Sequence, residues 1–290
     1  MIQLIATDMD GTLLDREGKI SEQNRKALRL VQERGILVVI ATGRSYHGAM
    51  DLLRDSGLHV PLIYLNGACI RSEKDELMKG ITLEPDAVRR MHEAFQEIEI
   101  YHELYTGDGI YCNRDGYNYL KIEIDRIIST NPTIQPELAR HVANRKYRTS
   151  RITEKHYEDI AEDPGASVYK VLAFSTIDEK LKQARQKAKS FSGIVVTSSA
   201  RHNIELNHPD AQKGLALEYL AQKYGISMKQ TMVIGDNFND LSMMKKAGLS
   251  IAMGNAEEYV KKACRYVTRS NDEHGVAYAI SRWAGIGELV

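Results

Sequence analysis

Ile2-Gln3-Leu4-Ile5-Ala6 runs directly into Thr7-Asp8-Met9-Asp10-Gly11-Thr12. This is a short apolar strand stopped by a polar stretch that contains glycine. In an extended chain, positions i and i+2 point the same way. Asp8 and Asp10 therefore both project from the C-terminal end of the strand, where open α/β sheets hold their ligands. Two carboxylates so close repel, and one stays protonated unless a cation lies between them. An isolated Asp-Gly after a strand also reads as a plain turn, so its meaning depends on what else reaches the same sheet edge.

The units that follow repeat strand and helix. Ser21 opens a helical pattern in which Ala27, Leu28, Leu30 and Val31 share a face, and Gly35 closes it. Ile36 to Ala41 is a continuous apolar run suited to a strand covered on both faces. Another helix and Leu62-Ile63-Tyr64-Leu65 complete the pattern, which predicts a Rossmann-like parallel sheet in an α/β fold. The last third repeats it, with strands expected at 231–234, 249–252 and 266–268 and helices at 241–247 and 256–263. Asn239 or Asp240 is expected to cap the first of these helices. Between about 85 and 200 the chain is more polar and richer in tyrosine. Val168 to Phe174, a lysine-rich helix from Asp178 to Lys189, and Ile194 to Thr197 suggest a second α/β unit there. The expected organisation is a discontinuous core, 1–84 and 201–290, with an inserted α/β domain at 85–200.

Lys plus Arg and Asp plus Glu are both 39 of the 290 residues, so the formal net charge is zero. There is no general pull toward nucleic acid or an anionic membrane, and anion binding has to come from a local site. Cys69, Cys112 and Cys264 are far apart and odd in number, which supports neither a disulfide framework nor a paired-cysteine zinc site. The first residues carry no basic leader and no apolar run spans a bilayer. A cytoplasmic protein is expected, without nucleic-acid or membrane partners.

Three more polar clusters fall where a strand ends or a helix starts. Ala41-Thr42-Gly43-Arg44 offers a hydroxyl and a glycine N–H that suit phosphate oxygens. Lys213-Gly214 opens a helix and supplies one ammonium for charge developing on a phosphoryl group. Gly235-Asp236-Asn237-Phe238-Asn239-Asp240 gathers hard oxygen ligands of the kind that suit magnesium. Each alone reads as a turn, a surface lysine or an acidic cap. Together they contain what phosphoryl transfer needs: nucleophile, acid, cation ligands, oxyanion donors and a fixed positive charge.

With these four clusters in this order, the chain resembles the haloacid dehalogenase superfamily, in its Cof-type branch of small-molecule phosphatases with a large α/β cap. Asn66-Gly67-Ala68, Ala252-Met253-Gly254-Asn255-Ala256 and Asn271-Asp272-Glu273-His274-Gly275-Val276 support the match. The loop His208-Pro209-Asp210-Ala211-Gln212 departs from the pattern by lacking a glycine. The resemblance implies that Asp8 attacks phosphorus and that Asp10 serves as acid and then base. It implies a Mg2+ cofactor held by Asp8, the Asp10 carbonyl and Asp236. It also implies phosphate or substrate binding by Met9, Thr42, Gly43, Arg44, Lys213 and Asn239, with Asp240 orienting Lys213 or a metal-bound water. Asp10 favours hydrolysis or mutase chemistry over that of the family's ion pumps and dehalogenases. A phosphomutase or a catalytically silent binding protein on the same fold are the alternatives. The expected partner is a small phosphorylated metabolite, a sugar phosphate or a flavin-precursor-like phosphate, since a cap excludes bulky partners. A monomer or weak homodimer is expected. Tyr101, Glu103, Asp108, Tyr111 and Arg114 are candidates for substrate selection, each read equally well as surface or packing.

Overall fold

Leu4–Thr7 (β1) is buried at every position, as an apolar run with a parallel neighbour on each side requires. The computed structural model describes residues 1–107, 109–112, 118, 121–122, 152–161, 167–198 and 202–284. They fall into two units, Met1–Gly80 with Asp210–Val290, and Ile81–Pro209. After β1, the first segment carries α1 (Glu22–Glu33), β2 (Leu37–Ala41), α2 (Tyr46–Ser56), β3 (Leu62–Tyr64), β4 (Cys69–Arg71) and β5 (Leu77–Gly80). The second unit carries α3 (Pro85–Glu97), β6 (Tyr101–Thr106), β7 (Ile110–Cys112), β8 (Ile152–Glu154), α4 (Tyr157–Ala161), β9 (Val168–Phe174), α5 (Asp178–Lys189), β10 (Val195–Thr197) and β11 (Asn203–Asn207). The chain returns through α6 (Lys213–Lys223), β12 (Thr231–Gly235), α7 (Leu241–Met244), β13 (Leu249–Ala252), α8 (Glu258–Ala263), β14 (Tyr266–Val267) and α9 (Gly275–Trp283).

The first unit has one sheet in the order β14-β13-β12-β1-β2-β3-β4-β5. The pairs from β14 to β3 are parallel, and β4 and β5 add an antiparallel edge. This is the expected α/β class, with a hairpin edge that the sequence reading did not anticipate. The Ser21 hydroxyl caps α1 by accepting from the Asn24 N–H at 3.3 Å, and Ala27, Leu28 and Val31 face the core.

Several expected boundaries shift. Helix α7 ends at Met244 rather than 247, α8 begins at Glu258, and β14 stops at Val267. Asp240, one of the two expected caps, stands at the N-cap position of α7 but makes no side-chain cap bond there. A short turn, Phe238–Asp240, precedes that helix, and its own cap is Asn237, whose Oδ1 accepts from the Phe238 N–H at 2.7 Å. Past residue 200, where the core was expected to resume, β11 still pairs with β9 and β10. Its Ile204 and Leu206 alternate with polar neighbours, a period-2 signal that is short and easily overlooked.

In the second unit, the described strands run β10-β11-β9-β6-β7-β8. One face of that sheet packs Leu104, Val171, Ala173, Ile204 and Leu206 against Met91, Phe95, Leu181 and Ala184. Tyr111 belongs to this core. On the other face, the Glu103 carboxylate accepts from the hydroxyls of Tyr101 and Tyr105, each at 2.7 Å. Asp108 and Arg114 lie outside the described residues. Among the described residues, no helix is long and apolar enough to cross a membrane.

Two buried histidines meet in this unit. His92 Nδ1 lies 2.9 Å from His102 Nε2, and His102 Nδ1 lies 3.1 Å from the Ile100 carbonyl. Burial pulls the His102 imidazole down to about 4 from its ordinary 6.5. Its folded pKa is below its unfolded one, so its contribution is complete above about 6.5 and is lost as pH falls toward 4. The loss amounts to about 3 kcal/mol. Urea unfolding of the wild type should weaken more between pH 6.5 and 4.5 than that of His102→Gln. Parallel pH slopes for the two proteins would refute the assignment.

Candidate active site

The β1 strand delivers Asp8 to the end of the sheet, where its N–H donates to the Ile234 carbonyl of β12 at 3.0 Å. Asp8 is buried, 5% exposed. Beyond it the chain makes a wide turn, Met9–Leu13, with Gly11 at φ +77°, a conformation glycine adopts without strain. A side-chain carbon at Gly11 would stand 2.4 Å from Asp236 Oδ2, so the turn and Asp236 pack directly. The Thr12 hydroxyl donates to Asp236 Oδ1 at 2.8 Å.

Lys213, at the start of α6, is fully buried. Its ammonium donates to Asp8 Oδ1 at 2.6 Å and to Asp240 Oδ1 at 2.7 Å. Two glycines let this group assemble. A carbon at Gly67 would lie 2.5 Å from the Gln212 carbonyl, and one at Gly214 would lie 2.2 Å from the Ser242 carbonyl. Asp240 Oδ2 accepts from the N–H groups of Asp236 and Asn237, both at 3.0 Å, which ties the Asp236 loop to the lysine.

Asp8, Asp236 and Asp240 bring carboxylate oxygens within 4.8 Å of one another. Burial, the largest influence, raises the Asp8 carboxyl well above its ordinary range; Lys213 opposes this and the other two aspartates add to it. Asp236 is pushed up to about 6, by burial first and then by the Asp240 charge. Burial alone would lower the Lys213 ammonium, but Asp240 and Asp8 more than reverse it. Asp240 is committed to Lys213 and two backbone N–H groups. Asp8 and Asp236 keep acceptor capacity, since each carboxylate offers about four lone-pair sites. Hard carboxylate oxygens crowded without enough positive charge fit a divalent oxygen-binding cation.

The remaining expected residues cluster at the ends of β2, β3 and β12. Thr42 is fully buried and its Oγ1 accepts from the Arg44 N–H at 3.1 Å. Asn239 Nδ2 donates to Asn66 Oδ1 at 3.1 Å, and a carbon at Gly43 would reach Asn66 Oδ1 at 2.8 Å. Met9 is buried in the turn. Arg44 and Asp10 meet each other: Arg44 Nε and Nη2 donate to the two Asp10 oxygens at 2.8 and 2.6 Å. The Asp10 carboxylate thus faces a guanidinium and is 56% exposed, outside the three-aspartate group.

A model for the haloacid dehalogenase-like hydrolases matches residues 5–280. The chain belongs to this family. It is a phosphoric monoester hydrolase of the haloacid dehalogenase type, with relatives over nearly its whole length. It is 35% identical over 279 residues to phosphatase YwpJ of Bacillus subtilis, covering 96% of this chain and 98% of that one. It is 37% identical over 281 residues to the 5-amino-6-(5-phospho-D-ribitylamino)uracil phosphatase YwtE of the same organism, covering 97% and 98%. The solved structure of a haloacid dehalogenase-like hydrolase from B. subtilis superimposes with a TM-score of 0.84 at 34% identity, covering 97% of this chain and all of that one.

Two contacts of this haloacid dehalogenase-like site escaped the sequence reading. Thr12 was quoted in its motif without a role, although a hydroxyl one residue after a turn glycine is a ready second-layer donor. Ser242 accepts from the Gly214 N–H at 2.9 Å, joining α6 to α7, and no local pattern marks it.

Proposed function

We propose that this hydrolase removes phosphate from a small phosphorylated metabolite through an aspartyl-phosphate on Asp8, and that catalysis belongs to the unit of Met1–Gly80 and Asp210–Val290. The observation that carries this reading is the buried Asp8–Lys213–Asp240 chain beside Asp236. An Asp8 oxygen attacks phosphorus, the bond from phosphorus to the leaving oxygen breaks, and that oxygen takes the Asp10 proton. Asp10, now a carboxylate, takes a proton from water. The water oxygen attacks phosphorus, releases inorganic phosphate and restores Asp8. Asp10 turns from Arg44 to reach the leaving oxygen by side-chain rotation, since the turn fixes its backbone.

Lys213 balances the charge on Asp8 and on the phosphoryl oxygens. The Thr42 hydroxyl, the Gly43 and Met9 N–H groups and Asn239 line the phosphate. Asp8, the Asp10 carbonyl and Asp236 would hold Mg2+, which supplies electrostatic neutralisation of the transferring group when bound. YwtE and YcsE of B. subtilis, 37% and 30% identical, are phosphatases of 5-amino-6-(5-phospho-D-ribitylamino)uracil. That flavin precursor therefore heads the substrates to try, followed by sugar phosphates. A cytoplasmic monomer or weak homodimer goes with this reading.

The test is phosphate release from p-nitrophenyl phosphate and from these metabolites. Activity should need Mg2+, vanish with EDTA and return on adding Mg2+. Release that persists in EDTA would refute the metal, and no release from any phosphomonoester would refute the function.

A further inference from the structure

Three carbonyls in and just after the turn that follows Asp8 are taken by asparagine side chains, one from α1 close by in the chain and two from its last third. Asn255 Nδ2 donates to the Gly11 carbonyl at 2.8 Å. Asn24 Nδ2 donates to the Leu13 carbonyl at 3.3 Å. Asn271 Nδ2 donates to the Leu14 carbonyl at 2.8 Å.

The opposite end of two of these carboxamides is also fixed. Asn255 Oδ1 accepts from the Asn271 N–H at 3.0 Å, and Asn24 Oδ1 accepts from the Ala277 N–H at 3.0 Å. A carboxamide is neutral and carries a donor and an acceptor on separate atoms, so it can join two backbones without adding charge beside three crowded aspartates. Asn24 is fully buried within α1, where its polar head would otherwise be costly. Asn255 follows β13, and Asn271 begins the turn before α9.

We infer that Asn255, supported by Asn271, is a positioning residue for the catalytic turn. This rests on the phosphatase reading above. Asn255 holds the carbonyl of the Gly11–Thr12 peptide. The Thr12 hydroxyl donates to Asp236 at 2.8 Å, and the Gly11 Cα packs on the Asp236 carboxylate. Asp8 and Asp10 precede the same peptide in the same turn. Releasing it displaces the nucleophile, the acid and the facing carboxylate together, and a displacement of about 1 Å can cost a hundredfold in rate.

Asn255 is exposed, so it can be altered without emptying the core. Asn255→Asp keeps the size and the acceptor but cannot donate to Gly11, and Asn255→Leu removes both bonds without adding charge. Both variants should lower kcat by about tenfold while KM for p-nitrophenyl phosphate and the urea midpoint stay at wild-type values. Amide exchange of the peptide spanning residues 9–14 should speed up at least about fivefold, with the rest of the first unit unchanged. Wild-type kcat with unchanged exchange would overturn the inference. So would a slower enzyme whose urea midpoint falls while the turn exchanges as before, because that pattern belongs to general destabilisation. If the wild-type protein releases no phosphate from any ester, the phosphatase reading fails separately. Exchange alone then decides the clamp, faster exchange upholding it and unchanged exchange overturning it.

Discussion

Asp8→Asn should reduce Mg2+-dependent phosphate release by at least about a thousandfold, the scale seen when a nucleophile is removed from an otherwise intact site. The replacement has nearly the same shape, and its carbonyl oxygen can still accept from Lys213, so the loss is chemical rather than structural. A second consequence has the opposite sign. The folded-state pKa of Asp8 is raised well above its ordinary 3.8, chiefly by burial. A carboxyl shifted that way contributes stability fully below its unfolded pKa and loses it as pH rises through the folded value. At neutral pH without metal, the buried Asp8 carboxyl therefore burdens the fold, and Asp8→Asn should be at least as resistant to urea as the wild type. Near pH 4 that advantage should shrink. Undiminished turnover by the variant would remove Asp8 as the nucleophile; a clearly lower urea midpoint would contradict the burial argument.

Lys213→Met should fail on both counts. The ammonium is fully buried between two carboxylates, and removing it leaves both without their cation. Breaking a buried pair by deleting one partner costs about 3–5 kcal/mol. Removing a fixed positive charge from the phosphoryl site should also lower kcat by about a hundredfold or more. Urea denaturation and steady-state kinetics on the same preparation separate the two losses. An unchanged urea midpoint would mean that Lys213 serves charge balance in the reaction without holding the fold. An unchanged kcat would remove it from the catalytic group.

The parallel core was legible because its signals are local. Each strand run ends in a polar cluster, and the topology of such sheets brings those ends to one edge. Strand β11 was missed because Asn203-Ile204-Glu205-Leu206-Asn207 carries only two apolar positions, too few to fix a period. The β4–β5 hairpin was missed for a similar reason: Cys69–Arg71 and Leu77–Gly80 are three and four residues long. The Asn255–Gly11, Asn271–Leu14 and Arg44–Asp10 contacts join residues 244, 257 and 34 positions apart, and no short window along the chain contains both partners. The sequence left Asn239 and Asp240 as equal candidates for the cap of α7, and Asp240 takes that position. Its side chain turns back to the Asp236 and Asn237 N–H groups, a direction that no local pattern encodes.

Strand β1, which leads into Asp8, lies between β2, which follows within thirty residues, and β12, which begins at Thr231. During synthesis at about 5–20 residues per second, one flank of β1 waits roughly 10–45 s for its neighbour. An unpaired apolar strand edge over that interval is a template for wrong pairing. Lys213 and Asp236 emerge in the same later segment as β12, so over that interval the nascent chain carries Asp8 without the groups proposed to activate it. On the proposed mechanism, hydrolysis has to wait until β12 closes the sheet.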